Sequence, residues 1–375
     1  MPDRPLGFGR RSTEDGPPAD GVLAPPVPGA TLLDDDGAAE LLPERPERGH
    51  KGSFGRLLVV AGSLDYAGAG LLVCVAAGRA GAGLVTLAVP ESLQPLFAAK
   101  VVEATTMGLP EDDVEEFEPD EALARILDHE HDAIVVGPGL RPGLATRQFI
   151  ADLLAFEDAA VRDGDPPGAG PATPPIVLDA EALRGLASTD AWWESVHRQA
   201  VLTPHVGEFA RLRAGSGHDP EADGDLVDDD AARATAAAAA AAEWGQVVVL
   251  KGARTVIAAP DGGVAVARFV NPAMATGGTG DVLSGTIGSL LAQGLHPFAA
   301  ARLGVHLHGL AGEAVRDRLG DAGLLASDLP IEIAFARRRL AVLAKRKSRE
   351  GRLGFVPRSA GFDREPEPRP SGTRT

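Results

Sequence analysis

Short, continuous apolar runs alternate with longer helical patterns through the middle of the chain. The runs are rich in Val, Ile and Leu and cover residues 57–61, 84–89, 133–136, 176–179, 201–203 and 247–250. Runs of this length and composition are typical of strands buried on both faces of a parallel sheet. The helical patterns between them include residues 71–80, 120–128, 228–244 and 281–292. This alternation predicts an α/β fold with a mostly parallel central sheet and helices on both of its faces.

Two further apolar runs predict an antiparallel hairpin at one edge of the sheet. They cover residues 256–259 and 264–267 and are joined around Asp261, Gly262 and Gly263. A short turn containing Asp-Gly between two apolar runs is the usual signal of a hairpin.

The composition of the two ends suggests one domain with a segment on either side. Residues 46–344 are expected to form the domain. Residues 1–45 are predicted to be a poorly ordered N-terminal arm that packs loosely at 30–42. Residues 345–375, which are basic and rich in Pro and Gly, are predicted to be a flexible C-terminal tail.

The chain is strongly acidic, with a net charge of -17 from 53 acidic and 36 basic side chains. Nucleic-acid-binding proteins usually present a basic surface, so this balance argues against a nucleic-acid partner. An acidic surface does not attract phosphates from a distance, so a phosphate site has to be built locally from backbone N–H groups and a few basic residues. Segments 157–175 and 214–230 are expected to be solvent-exposed insertions without a site.

The single cysteine and the lack of long apolar runs restrict the class of protein further. Cys74 alone excludes a disulfide framework and a zinc site built on cysteines. The N-terminus has no apolar signal core, and no run reaches the roughly 20 residues that span a membrane. The sequence therefore predicts a cytosolic protein without a membrane partner. His306 and His308 lie on different faces of a predicted helix, so they are expected to be packing or polar-core residues, and no metal site is predicted.

A glycine-rich turn directly before a predicted helix is the most informative motif. Gly277, Gly278 and Gly280 allow a tight bend that presents successive N–H groups, and Asp281 begins the helix. Amides at the positive end of a helix dipole form a binding site for anions such as phosphates.

Asp281 in this turn has two interpretations. It could serve only as an N-cap of the helix. It could also act as a general base, taking a proton from a hydroxyl while the amides hold the phosphoryl group under attack. The flanking residues Asn271, Met274 and Thr276 on one side and Ser284 on the other favour the second interpretation.

This stretch resembles the anion-hole and catalytic-aspartate motif of the ribokinase-like superfamily. Its flanks are most similar to those of the NAD(P)H-hydrate dehydratases. Four other segments resemble that family in the family's order along the chain, and the whole resemblance covers about residues 50–344. The four segments are residues 50–69, 134–140, 201–212 and 249–256.

The resemblance implies a role for particular residues. Asp281 would be the catalytic base and would contact the substrate. The hydrated nicotinamide substrate would lie against Ala69, Gly137, Gly139 and His205. The adenine nucleotide and its phosphates would be bound by Lys251, Gly252, Ala253, Arg254, Thr255, Gly278, Thr279 and Gly280.

The resemblance also implies an activity, co-substrates and an assembly. The expected reaction is dehydration of (6S)-NAD(P)H hydrate to NAD(P)H, with ADP consumed to AMP and phosphate, or with ATP. Mg²⁺ is expected to arrive with the nucleotide phosphates. Family members often form tetramers, so a homo-oligomer is expected. The family often carries an N-terminal epimerase domain; a leader of roughly 45 residues is too short for one, so dehydratase activity alone is expected.

Two alternatives stay open. A small-molecule kinase of the same superfamily, acting on a sugar or on a thiazole or pyrimidine alcohol, would share the fold and Asp281. It would differ around Ala69, Gly139 and His205. A catalytically silent nucleotide-binding regulator is the second alternative, and the intact Asp281 argues against it.

Overall fold

One large sheet with helices on both faces dominates the structure, a computed structural model that describes residues 27–113, 115–156 and 173–352. In chain order, the strands among these residues are β1 Thr31–Leu32, β2 Arg56–Val60, β3 Leu84–Pro90, β4 Thr105–Leu109, β5 Glu111–Asp113, β6 Glu116–Phe117, β7 Ala133–Val136, β8 Ile176–Leu178, β9 Ala200–Leu202, β10 Val247–Leu250, β11 Val256–Ala258 and β12 Val264–Val266.

Eleven α-helices accompany these strands in the described part of the chain. They are α1 Asp35–Glu40, α2 Ala67–Ala80, α3 Gln94–Ala98, α4 Pro119–Leu127, α5 Leu144–Ala155, α6 Glu181–Leu186, α7 Val206–Gly215, α8 Asp230–Trp244, α9 Thr279–Ala292, α10 Pro297–Leu319 and α11 Leu329–Arg352. None of the described helices combines the length and the apolar character needed to cross a bilayer.

The main sheet has ten strands in the order β1-β12-β11-β10-β9-β8-β7-β2-β3-β4. Neighbouring strands are parallel from β4 to β10. The β11–β12 hairpin continues the sheet in antiparallel pairing. Both predictions, the mostly parallel sheet and the hairpin toward one edge, are confirmed. The outermost strand on that side is β1, which pairs in parallel with β12.

Alternate residues of the central strands pack into two separate cores, one on each face of the sheet. On β2, Leu57 and Val59 face the core covered by α2, α9, α10 and α11. Leu58 and Val60 face the core covered by α4, α5, α6, α7 and α8. All four side chains are almost completely buried, which explains why the strand has an unbroken apolar sequence.

The chain order changes direction across the sheet at β2. The connection from β2 leads to β3 on one side, whereas β7 and the later parallel strands lie on the other side. The loops that follow β2 and β7 are therefore adjacent at the carboxyl edge, where open α/β sheets bind ligands.

Within the expected N-terminal arm, the segment that was predicted to pack loosely contains a short strand and a helix. Residues 31–32 pair with β12, and α1 places Ala38 and Ala39 in the core. The carboxylate of Asp34 caps α1 by accepting a hydrogen bond from the N–H of Gly37 at 2.8 Å. Backbone pairing and burial of small apolar side chains order this part. Residues 1–26 of the expected arm lie outside the described residues.

The other predicted boundaries and insertions also differ in part. Helix α11 passes the expected domain end at 344 and continues to Arg352, and residues 353–375 lie outside the described residues. Residues 157–172 of the first insertion lie outside them as well. The second insertion packs against the fold, because Asp223 accepts a hydrogen bond from the buried guanidinium of Arg213 at 3.4 Å.

Helices α2 and α9 pack very closely because a glycine lies at their contact. A Cβ added at Gly285 would lie 2.3 Å from the carbonyl oxygen of Val73, a distance that real Cβ atoms do not adopt. The backbones themselves are therefore in contact, and this contact fixes the position of α9 against α2.

Replacing Gly285 by Ala should destabilise the fold by about 1–3 kcal/mol, because the new methyl group meets backbone rather than a flexible side chain. Gly78→Ala on the exposed side of α2 is the matched control, since nothing lies within 4 Å of its added Cβ. That variant should be neutral or stabilising by up to about 1 kcal/mol. Urea unfolding of both variants measures the difference, and equal stability would contradict the close-packing argument.

Candidate active site at the carboxyl edge of the sheet

The segments that the motifs singled out meet at the carboxyl ends of β8, β9 and β10 and at the start of α9. Asp179 directly follows β8, and Lys251 directly follows β10. An isolated parallel bridge joins Lys251 to His205, which lies between β9 and α7. Parallel strands place these side chains at the same edge, although 72 residues separate Asp179 from Lys251.

The glycine-rich turn places the first amides of α9 toward this edge. Gly278 precedes the helix with a φ of +91°, a left-handed conformation that favours glycine. The hydroxyl of Thr279 donates to the carbonyl oxygens of Met274 and Thr276, each at 3.0 Å. These bonds hold the turn while leaving the first N–H groups of the helix without helical partners. Asp281 lies in that first turn.

A buried ion pair lies beneath the turn. The ammonium of Lys251 donates to Asp179 Oδ1 at 2.9 Å, and the hydroxyl of Ser284 donates to Asp179 Oδ2 at 2.6 Å. Burial alone would raise the pKa of Asp179, but the charge of Lys251 and the Ser284 hydrogen bond hold that pKa below its usual value. Asp179 is therefore a carboxylate that connects β8, β10 and α9.

The carboxyl group of Asp281 lies next to this ion pair without belonging to it. Burial and, to a smaller extent, the negative charge of Asp179 raise the pKa of Asp281, Lys251 offsets part of this effect, and the net pKa is about 7. A carboxyl group with a pKa near neutrality exchanges a proton readily at physiological pH, which is the property of a general base or acid.

His205 and Glu208 form the first turn of α7. His205 Nδ1 accepts hydrogen bonds from the N–H groups of Gly207 and Glu208 at 3.0 and 3.3 Å. Glu208 Oε2 accepts from the N–H of His205 at 2.9 Å and lies 3.9 Å from Lys251 Nζ. Nε2 of the same half-exposed ring lies 3.5 Å from Glu208 Oε1, so Glu208 holds His205 at the edge of the site.

A cavity of about 790 Å³ opens between the hairpin, the glycine-rich turn and α10. A Cβ added at Gly280 would lie 3.3 Å from Lys251 Nζ, so the ammonium lies directly against the helix start. The walls are mainly apolar and include Phe269, Met274 and Leu283. Residues of the proposed nucleotide segment that line the cavity are Lys251, Gly252, Ala253, Thr255, Thr279 and Gly280.

Two residues of the proposed nucleotide set do not line this cavity. Arg254 points its Nε toward Asp230 Oδ2 at 3.6 Å, and its carbonyl oxygen accepts from Arg233. Gly278 faces α2, because a Cβ added there would lie 2.7 Å from Leu72 Cδ1. The sequence assigned both residues by position in a motif, and motif position does not tell which side of the turn a residue faces.

The three small residues expected at the substrate form a second group beside the first. A Cβ added at Gly139 would lie 2.8 Å from the Cβ of Ala69, and one at Gly137 would lie 1.9 Å from the carbonyl oxygen of Asp179. Both glycines have positive φ. None of the three lines the nucleotide-side cavity. Since α2 contacts α9 at Gly278, the first turn of α9 lies between the two groups.

A family model described as NAD(P)H-hydrate dehydratase matches residues 57–334. The chain belongs to the NAD(P)H-hydrate dehydratase family. It is similar to the bifunctional NAD(P)H-hydrate repair enzyme Nnr of Moorella thermoacetica, with 41% identity over 80% of this chain and 52% of the relative. It is also similar to the ADP-dependent (S)-NAD(P)H-hydrate dehydratase of Neisseria meningitidis, with 36% identity over 79% of this chain and 89% of the relative.

Among solved structures, an ADP/ATP-dependent NAD(P)H-hydrate dehydratase from Bacillus subtilis, co-crystallised with ATP and Mg²⁺, matches with a TM-score of 0.66. The identity is 30%, and the match covers 84% of this chain and all of the other. The expected family and its ribokinase-like fold are thereby confirmed. The chain spans about half the length of the bifunctional relatives that it matches.

For this family member, the sequence missed two residues of the site. Asp179 was interpreted only as the last residue of a strand. The signal available was an acidic residue at the end of an otherwise apolar strand, at the edge of the sheet where ligands bind. His308 was expected to be a packing residue, but it lines the cavity and donates from Nε2 to the carbonyl oxygen of Thr279 at 2.9 Å. Burial lowers the pKa of His308 to about 4, so the ring is neutral at physiological pH.

The raised pKa of Asp281 predicts a pH-dependent stability. The unfolded chain loses this proton near pH 4 and the folded protein near pH 7, so the folded state binds the extra proton between these values. Asp281 therefore reduces stability as the pH rises from 4 to 7, and the full reduction remains above 7. Asp281→Asn should gain melting temperature relative to wild type as the pH rises from 5 to 8.

Asp190→Asn removes the same formal charge from an exposed loop and is the control for net charge. Thermal unfolding at several pH values measures both variants. A melting-temperature difference between Asp281→Asn and wild type that does not change with pH would contradict the raised pKa.

Proposed function

We propose that the chain catalyses the nucleotide-dependent dehydration of (6S)-NAD(P)H hydrate to NAD(P)H. One observation carries the proposal: the first turn of α9, which holds Asp281, contributes Thr279 and Gly280 to the wall of a large cavity, and Gly278 just before it contacts α2, the helix that contains Ala69. A group that takes a proton is thereby next to both places where the reactants would lie. Family membership supports this choice of reactants.

The cavity fits an adenine nucleotide. Its apolar walls suit a planar base, while Lys251, Thr255 and the first N–H groups of α9 suit phosphates. Gly252 and Gly280 both have side-chain positions that neighbouring groups would occupy, at Arg233 and Lys251 respectively. A side chain at either glycine would therefore press on Arg233 or Lys251 within the segment proposed to bind the phosphates. Arg254 and Gly278 would then have no direct contact with the nucleotide. Arg254 would act through Arg233, and Gly278 would act through its contact with α2.

Magnesium would enter as part of the nucleotide substrate. Among the described residues, no group of three or more His, Cys, Asp or Glu side chains could hold a metal ion by itself. We therefore assign no resident metal site, and the metal would be bound chiefly by the phosphates.

The residues of the chain account for the phosphoryl-transfer step of the proposed reaction. The hydroxyl of the hydrate attacks the terminal phosphoryl group while its proton passes to Asp281. The amides at Thr279 and Gly280, with Lys251, stabilise the negative charge on the phosphoryl oxygens. Phosphate then leaves as the ring nitrogen donates its electron pair, and loss of the neighbouring ring proton restores NAD(P)H. With ADP as donor, the other product is AMP.

The hydrated nicotinamide would lie on the other side of the α9 turn. Gly137 and Gly139 let the loop after β7 pack against Asp179 and Ala69, because a side chain at either position would collide with them. His205 lines the nucleotide-side cavity, so its ring would contact the substrate where the substrate meets the nucleotide. The expected oligomer and the cytosolic location remain predictions.

An assay of the purified protein tests the proposal. The protein with Mg²⁺ and ADP, and in parallel with ATP, should regenerate NADH absorbance from the S epimer of hydrated NADH and leave the R epimer unchanged. A panel of sugars and thiazole and pyrimidine alcohols serves as the comparison. Phosphorylation of one of these, with the hydrate untouched, would favour the kinase alternative, and nucleotide binding without any turnover would favour the regulator.

Asp281→Asn should lower kcat by about 10²- to 10⁴-fold, because Asn has nearly the size and capping ability of Asp but cannot take the proton. Nucleotide affinity should persist, since the amides of the turn remain and one negative charge near the phosphates is gone. Steady-state kinetics and calorimetric titration with ADP measure the two effects. A folded variant with a near-wild-type rate would exclude Asp281 as the base.

A further inference from the structure

The N-terminal segment contacts the cavity wall from behind, although it lies outside the part matched by the family model, which begins at residue 57. Strand β1 pairs with β12, with Thr31 opposite Ala265 and Leu32 opposite Val266. The N–H of Leu33 donates to the carbonyl oxygen of Val266 at 2.9 Å. Strand β12 leads directly into Ala267 and Phe269, which line the cavity.

A second contact reaches the opposite wall. Asp35 Oδ1 accepts a hydrogen bond from Nε2 of the buried His306 at 2.9 Å, and Arg339 of α11 donates to its other oxygen. His306 lies on α10 between Val305 and His308, both of which line the cavity. One carboxylate of the N-terminal segment thus binds the helix that forms this wall.

The wall that follows β12 and the wall formed by α10 are in direct contact. The ring centroids of Phe269 and His306 are 5.4 Å apart. A Cβ added at Gly309 would lie 2.1 Å from Phe269 Cδ2, so the ring lies against the backbone of α10. A close-packed contact of this kind transmits displacement, because there is no space to absorb it. Releasing His306 would therefore allow Phe269 and the cavity wall to move.

We propose that residues 31–35 brace the nucleotide cavity and that Asp35 is a positioning residue for adenine-nucleotide binding. Asp35 does not touch the cavity; it acts through His306 and Phe269. The identity of the ligand rests on the proposed function, whereas the brace rests on the contacts. A role in stability alone would lower the melting temperature without a selective effect on nucleotide affinity.

Asp35→Ala removes the acceptor for His306 and should weaken binding of Mg-ADP about 3- to 30-fold, the range for residues that act on a site without contacting its ligand. The KM for the hydrate should change less than twofold, because Ala69, Gly137 and Gly139 do not line the nucleotide-side cavity. Asp35→Asn keeps an oxygen acceptor for Nε2 and should restore most of the affinity. Calorimetric titration and steady-state kinetics on the full chain measure these values.

Asp36→Ala is the matched control. Asp36 is the next residue of the same helix, and its carboxylate is bound by Lys347 of α11 at 3.1 Å rather than by α10. It should bind Mg-ADP like the wild type. If Asp35→Ala and Asp36→Ala bind Mg-ADP equally well, the brace is overturned.

A second variant covers the case in which Asp35→Ala does not fold. His306→Gln keeps an N–H donor for Asp35 but loses the ring against Phe269, so it should weaken Mg-ADP binding in the same range. Unchanged affinity there also overturns the brace. Wild-type protein that binds neither Mg-ADP nor Mg-ATP overturns the proposed function itself, which separates that failure from failure of the brace.

Discussion

The ion pair between Asp179 and Lys251 joins the elements from which the candidate site is built. It connects the ends of β8 and β10, and Ser284 extends it to α9. The Asp179 side chain is 3% exposed, whereas that of Lys251, which also lines the cavity, is 21% exposed. Burial would lower the pKa of Lys251, but Asp179 and Glu208 hold it above its usual value. Removing either partner would leave an uncompensated charge, a far larger effect than loss of an exposed ion pair.

The charges around this ion pair also determine which ligands the site can bind. Lys251 is one cation near three carboxylates, those of Asp179, Glu208 and Asp281. Phosphates entering this place would meet net negative charge within a protein that is itself acidic. The N–H groups at the start of α9 supply partial positive charge, but a diphosphate needs more. A nucleotide that carries its own divalent cation satisfies this requirement, and this is the electrostatic reason to expect the magnesium complex as the ligand.

Local patterns predicted most of the fold and part of the site. Unbroken apolar runs predicted the parallel strands, and the glycines before Asp281 predicted the start of α9. Both features depend only on residues that are neighbours in the sequence. The partnership of Asp179 with Lys251 depends on which strands become neighbours, so spacing along the chain could not reveal it. The sequence predicted only loose packing for residues 30–42, because a two-residue strand has no periodicity. The stabilisation of this strand comes from backbone pairing with β12 and from Asp35 binding His306.

The rigidity of α9 connects these features to chemistry. Two of its buried hydroxyls have hydrogen-bond partners. Thr286 donates to the carbonyl oxygen of Val282 in the same helix at 2.8 Å, and Ser284 donates to Asp179 at the end of β8. Gly285 brings the helix against the backbone of α2, and His308 holds the carbonyl oxygen of Thr279. Amides that are fixed before the phosphoryl group arrives need no reorganisation as charge develops, which is the condition under which such groups stabilise a transition state most strongly. Helix α9, with its many small residues, is therefore the element that would allow the turn at Asp281 to work as the proposed anion site.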